Sequence, residues 1–431
     1  MIATFAPVAS EYTLAMSSPE PAPVPASNLE PAGRREDAPV APEDEGAGLG
    51  VLVLLMAAIF GFATCVTMLG PLLVDLSAEL DVSLGQAGLL AAAMAASWAL
   101  AAPFAGLLSD RFGRRPMIVL ALCGLGAVTI GAGLASNYSV LLVTRVLAGV
   151  FGGFGPAAVL AAAGDLFPPR KRGMAMGWTN LGFSMAAIVG VPTIGVIGGM
   201  FGWRSAFAAT GLLLLALAVL IQLTFPAGRV QPSEGGLFST YRSVIGVPAL
   251  ASVLAANLFE RALFNLSVLY LPSFLMLSYS LDAVAVAPTL VLVAIGNIVG
   301  TVGGGWLGDR FPKATIFLVA QTLSGMVALA LFTQTPGLAL SAAGGALFGL
   351  LNASSRPALL ALGAELSARH RGAVLGLLSL TNQGGIVLGS SIGGLAIGLG
   401  GYGALALTMA ADAALATGLA WPLRKRRPSS H

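Results

Sequence analysis

From residue 51 to residue 422 the chain is an almost unbroken series of apolar runs about 20 residues long, each ended by a turn or a charge cluster. That length matches a helix crossing the hydrocarbon core of a bilayer. Lipid offers no partner to an open N–H or C=O, so the backbone of such a run bonds within itself, as a helix does. Twelve runs are read, at roughly 51–74, 86–108, 116–135, 139–162, 173–199, 203–225, 247–270, 285–307, 314–333, 338–362, 372–398 and 402–422. The expected fold class is therefore an all-α integral membrane protein with 12 transmembrane helices. Composition agrees: 10% of the 431 residues are charged, against about 25% in soluble domains.

An even number of spans puts both termini on one side, and the basic residues say which. Of the 22 Lys and Arg residues, 18 fall in the tails or in connections after even-numbered spans; Arg204 alone lies on the opposite side, and Arg145, Arg261 and Arg356 lie inside spans. Lys and Arg accumulate on the cytoplasmic face, so both termini are expected there, in a membrane of the bacterial inner-membrane type. The pI near 9.1 reflects this bias and not nucleic acid binding.

Enzyme chemistry finds little to use. Cys65 and Cys123 lie within spans and imply no disulfide framework or metal site, and the two histidines are His370, in a loop, and His431, at the end. No nucleotide loop and no nucleophile–base pair stands out. Neither an enzyme nor a cofactor is expected, and the chain is expected to be monomeric.

Residues 1–48 form a Pro/Ala-rich cytoplasmic tail with eight acidic and two basic residues, a composition expected to be disordered. It lacks the basic start and apolar region of a signal peptide, and Met16 is an alternative start. The rest divides into a six-helix bundle at 49–225, a linker at 226–246, a second six-helix bundle at 247–422 and a basic tail at 423–431. The division rests on an internal repeat. "GLLSDRFGRRP" (Gly106–Pro116) returns as "GWLGDRFPK" (Gly305–Lys313), with Asp110 and Asp309 199 residues apart. "AGDLFPPRKRGMAMG" (Ala163–Gly177) likewise returns as "GAELSARHRGAVLG" (Gly363–Gly376) with one residue deleted. Two parallel six-helix repeats are an architecture of secondary transporters, which bind solute near the bilayer midplane between the halves.

Asp110 ends a helix, where the partial negative charge of the terminus opposes it, so it needs a cation or the start of another helix. Arg111, Arg114 and Arg115 lie nearby, and the eleventh span begins on the same face. Gly113 suits a positive φ at the helix end, and Pro116 suits the first turn of the next helix. The positive-inside rule by itself accounts for the arginines but not for the Asp, the Gly or the repeated order.

The motif resembles the signature of the major facilitator superfamily between its second and third helices, approximately G-x-L-a-D-r-x-G-r-R, which Gly106, Leu108, Asp110, Arg111, Gly113, Arg114 and Arg115 fit. The resemblance implies a twelve-helix transporter in which this cluster is a cytoplasmic latch between the halves, closed in the outward-facing state. The second copy, with Asp309 and Arg310, departs from the pattern because Pro312 replaces the glycine and cannot take a positive φ.

Within the fourth span, Arg145 and Gly149 match the family's R-x-x-x-G motif, whose arginine is associated with proton coupling; the alternative is a structural arginine bonded to carbonyls of the first helix. In the fifth span, Gly190, Pro192 and Gly195 resemble the G-P-x-x-G-G motif of antiporters, although Val191 intervenes, and "GVP…GWR" is similar to the arabinose-efflux and drug-efflux branch. Here Pro192 is expected to kink the helix and the glycines to allow close packing. Gly296, Gly300, Gly304 and Gly308, and Gly385, Gly389 and Gly393, read as packing stripes.

The second half carries Glu260 and Arg261 in the seventh span and Asp412 in the twelfth. An apolar setting penalises a charged carboxylate, which makes both acids candidate proton carriers. Neighbours on a helix do not face each other, so Glu260 and Arg261 are expected to have different partners; the structural alternative pairs Glu260 with Arg356, or with Arg261 through a local distortion. Trp98, Asn257, Asn265, Asn297, Asn352, Asn382 and Gln383 are candidates for lining a solute cavity.

The expected function is secondary active transport by alternating access, with proton-coupled efflux of a small drug-like or amphipathic solute. Import of a nutrient or organic acid, by symport or uniport, is the alternative, and a solute sensor that transports nothing is a more distant one.

Overall fold

The computed structural model describes residues 48–168, 170–226, 248–366 and 371–425. Almost all of the expected N-terminal tail and linker, and most of the C-terminal tail, lie outside these residues, as does His370.

The first span is two helices end to end, Leu49–Thr67 and Leu69–Glu79. The second to fourth are Leu84–Phe112, Arg114–Gly133 and Tyr138–Leu166. The fifth has three pieces: a helix Arg172–Met185, a π-helical turn Ala186–Gly190, and a helix Val191–Phe201. The sixth to tenth are Trp203–Thr224, Pro248–Tyr279, Ala283–Gly308, Lys313–Thr333 and Leu338–Leu366. A last stretch, Arg371–Ala420, is broken where Gly400 and Gly401 leave helical geometry, giving the eleventh and twelfth spans. Twelve crossings result among the described residues.

The spans exceed the apolar runs because polar residues cap them. Ser83 accepts from the Gln86 amide at 3.1 Å while its own amide donates to Gln86 Oε1 at 2.9 Å, so each satisfies an amide that the helix start leaves open. Asn137 Oδ1 and Asp282 Oδ1 accept from Val140 and Ala285 in the same way.

The duplication is visible in the backbone. Asp81 and Ser280, 199 residues apart, share the same unusual φ of 52° just before the caps Ser83 and Asp282, which stand at the same offset. Gly202 (φ 82°) and Gly401 (φ 61°) repeat that spacing at the turn into the last span of each half.

Across the halves, the second span packs on the eleventh, the fifth on the eighth and the first on the seventh. These meetings cluster at the end opposite Asp110. A Cβ on Gly85 would overlap the Gly394 carbonyl, and one on Gly70 would lie 2.6 Å from the Val268 oxygen. A Cβ on Gly195 would touch both Pro71 and the Ala283 oxygen at 3.4 Å. At the Asp110 end, a Cβ on Gly106, Gly173, Gly177, Gly305 or Gly308 would meet nothing within 4 Å.

Buried cores follow the same division. One continuous cluster runs through the first half and across the seam into Leu263, Tyr270 and Phe274, whereas Val253, Phe317, Leu359 and Val374 form a separate core in the second half. Among the described residues, the halves are joined at the end opposite Asp110, and no glycine at the Asp110 end makes a close approach between them.

Candidate functional site

At the parted end, Asp110 meets Arg114 Nη1 at 2.5 Å, and Arg114 Nε also donates to Asp165 Oδ2 at 2.9 Å. Arg114 Nη1 reaches Ser109 Oγ as well, and Arg115 donates to the Gln222 carbonyl. One guanidinium thus ties the second, third and fourth spans of one half. Arg111 lies over the Phe112 ring at 5.5 Å. Gly113 has φ 95°, and Pro116 falls in the first turn of the helix that Gly113 opens.

The second copy turns differently. Pro312 at φ −57° caps the ninth span after a short turn, Arg310 lies 3.7 Å from the Trp306 ring centre, and Lys313 pairs with Glu365. That pair corresponds in the repeat to Arg114–Asp165. Sequence reasoning passed over Asp165 and Glu365, although both stand in the second repeated motif. Among the described residues, no ion pair crosses between the halves.

Arg145 is wholly enclosed in the first half, with Nη1 3.8 Å from Met94 Sδ and the guanidinium 4.9 Å from the Phe207 ring centre. Among the described residues, its Nε and Nη2 have no hydrogen-bond partner. The alternative of bonds to first-span carbonyls therefore does not match its surroundings. Gly149 lets the fourth span approach Met94 and Ser97 of the second, and Gly190 abuts Thr64 of the first. Pro192 follows directly on the π-helical turn, where the helical ladder is already interrupted.

In the eighth span, Gly296, Gly300 and Gly304 face backbone carbonyls of the tenth, but Gly308 faces open space and is no part of the stripe. Gly385 and Gly389 lie against backbone of the seventh span, and Gly393 against Leu266 and Tyr270.

Glu260 corrects the expectation of separate partners. Its carboxylate is fully buried and takes both Nε (2.6 Å) and Nη2 of its neighbour Arg261, because the two long side chains fold together along the helix surface. Arg356 Nη1 lies 3.5 Å from Glu260 Oε2, within ion-pair range but without a hydrogen bond. Asp412 is 4% exposed, beside the Ala413 that packs on Gly325, and has no ion pair among the described residues.

The amide candidates divide. Asn257 Nδ2, with two hydrogens to give, lies within hydrogen-bond reach of Thr381 Oγ1 (2.7 Å), Asn382 Oδ1 and Leu378 O, and Asn265 Nδ2 donates to Ser390 Oγ at 2.8 Å, so Asn257, Asn265 and Asn382 bind the seventh span to the eleventh. Asn257 and Asn352 are buried and do not line an open cavity; among the described residues, Asn352 has no partner for either amide atom. Trp98 packs over Gly152, while Gln383 and Asn297 are half-buried.

Among the described residues, twelve membrane-spanning helices in two repeats, joined at one end and with an ion cluster inside the second half, have the build of a polytopic transporter. The chain belongs to the Major Facilitator Superfamily, which residues 55–333 and, again, 253–431 match. A chloramphenicol resistance protein of Streptomyces lividans is 28% identical over 289 residues, covering 66% of this chain and 74% of the relative. The inner membrane transport protein YdhP of Escherichia coli O157:H7 is 27% identical over 389 residues, covering 88% and 97%. Among solved structures, a bacterial homologue of the human lysosomal transporter Spinster, inward-facing and unoccupied, shares the fold with a TM-score of 0.75 at 19% identity, covering 88% of this chain and 98% of that one.

Proposed function

We propose that this transporter exports a small amphipathic, drug-like solute in exchange for protons. The observation that carries the reading is the pairing of a sealed end with a parted end, with the Glu260–Arg261–Arg356 cluster on the second half. The excess of Lys and Arg assigns the parted end to the cytoplasm, where it loads solute from inside. Resistance proteins among the relatives support outward movement.

The cycle then needs the Asp110 end to close as the Gly85–Gly394 end opens. Asp110 and its arginines act as the latch of that closed state, which explains why they pair only within their own half here. Asp412, enclosed and without an ion-pair partner among the described residues, carries the proton. Everted vesicles with an imposed pH gradient, offered amphipathic compounds that include chloramphenicol, test the proposal. Gradient-dependent accumulation is expected; flux that ignores the gradient would rule out proton coupling.

A further inference from the structure

Two guanidinium groups share one carboxylate inside the membrane, which leaves an uncompensated positive charge in the second half. We infer that Arg261 and Arg356 form a subsite for a carboxylate group on the transported solute. The inference rests on the transport reading above and names the charge of the solute.

The geometry of the cluster points that way. Both Glu260 oxygens accept from Arg261, so Arg356 is left as the group with donors to spare: Nη1 is buried and, among the described residues, has no hydrogen-bond partner. An arginine presents five donors in a fixed fork, and the Glu260 carboxylate, bonded to Arg261, makes no hydrogen bond with Arg356 Nη1. A charged group without full compensation at this depth is costly, which an arriving anion would relieve. Bidentate pairing with a carboxylate is the strongest recognition that a guanidinium offers.

Access follows from helix geometry. Arg261 stands seven residues before Val268, two turns along the seventh span and hence on the same face. Val268 meets Gly70 of the opposite half at the sealed end. Arg261 Cβ lies against Gly385 of the eleventh span, the span that meets the other half at Gly394. The Arg261 side chain is 12% exposed and that of Arg356 28%, whereas Glu260 between them is not exposed at all. The two cations thus keep some exposed side chain, where the carboxylate between them keeps none. Phe264, one turn from Arg261 with its ring centre 4.5 Å from the guanidinium, gives the apolar part of an amphipathic anion a surface beside the charge.

The test is a binding experiment on the purified full-length protein, so that it does not depend on flux. Acetate, benzoate and decanoate are each compared with the corresponding neutral amide by thermal shift and by tryptophan fluorescence. At least one carboxylate is expected to bind about tenfold or more tightly than its amide, the discrimination of a charge-assisted contact. Arg356→Gln should erase that difference, Arg356→Lys should keep part of it, and Glu260→Gln, which removes the competing carboxylate, should increase it. Monodispersity and helical circular dichroism confirm that each variant is folded; if Arg356→Gln fails that check, the Lys and Glu260 variants decide. Every carboxylate binding like its amide, or discrimination that survives loss of Arg356, overturns the inference. Gradient-driven flux of neutral compounds only, with no preference for anions, would overturn it while leaving the transport reading intact.

Discussion

Gly85 and Gly394 approach so closely that a methyl group on either would overlap the other's backbone. They belong to different halves, so the second and eleventh spans can seal only while both positions lack a side chain. Gly394→Val should hold that end apart. With Cys65 and Cys123 replaced, a single cysteine at Leu84 is expected to gain reactivity toward a membrane-impermeant thiol reagent, and transport to fall. Labelling that stays at the parental level would show that the seam does not depend on this contact.

Asp110 is held by Arg114, which also holds Asp165, while Asp309 has no ion pair among the described residues. Asp110→Asn is expected to reduce transport by about tenfold or more, the scale of a coupling between conformational states. Asp309→Asn should cost clearly less. Initial rates in proteoliposomes compare them, and equal losses or the reverse order would contradict the assignment of the latch to the first copy.

Glu79, at the end of the first span, accepts from Trp203 Nε1 at 2.6 Å and pairs with Arg204, which also reaches the Ala135 carbonyl at 3.0 Å. Trp203→Phe keeps a ring against Phe207 but removes the donor. A loss of about 1 kcal/mol is expected, the usual net worth of one hydrogen bond. Unfolding midpoints in detergent measure it. A variant as stable as the parent would make the tryptophan a packing residue only.

Asp412→Asn and Glu260→Gln separate the proposed proton carrier from the ion cluster. The first is expected to retain solute counterflow but lose accumulation driven by a pH gradient. The second should change solute affinity because it frees the arginines. If Asp412→Asn still concentrates solute against a gradient, Asp412 does not carry the proton.

The twelve spans were legible because lipid imposes a single demand on the backbone, and the repeat because two motifs return at nearly one offset. The interior was harder. The Glu260–Arg261 pair defied the rule that helix neighbours diverge, since that rule concerns the direction of Cβ and not the reach of long side chains. Asn257 and Asn265 looked like cavity residues, but an apolar sequence needs polar contacts to hold helices together, and both are used between the seventh and eleventh spans. Asp165 and Glu365 were hidden in a loop motif that appeared to be about its basic residues. The parting of the halves had no local signal, because it arises from which glycines meet across the seam.

The fifth span draws a different line through the molecule from the one between the sequence repeats. Below the π-helical turn, Arg172–Met185 packs on the first span of its own half; above it, Val191–Phe201 lies against the eighth span of the other half as well as its own. By ancestry the upper piece belongs to one repeat, yet by contact it is shared with the other. Separating the sealed end strips this piece of its borrowed neighbour, and a five-residue joint with a wider helical pitch is what connects it to the rest. By contact, the fifth span is thus divided at Ala186–Gly190, and gene duplication alone does not define which pieces of the molecule belong together.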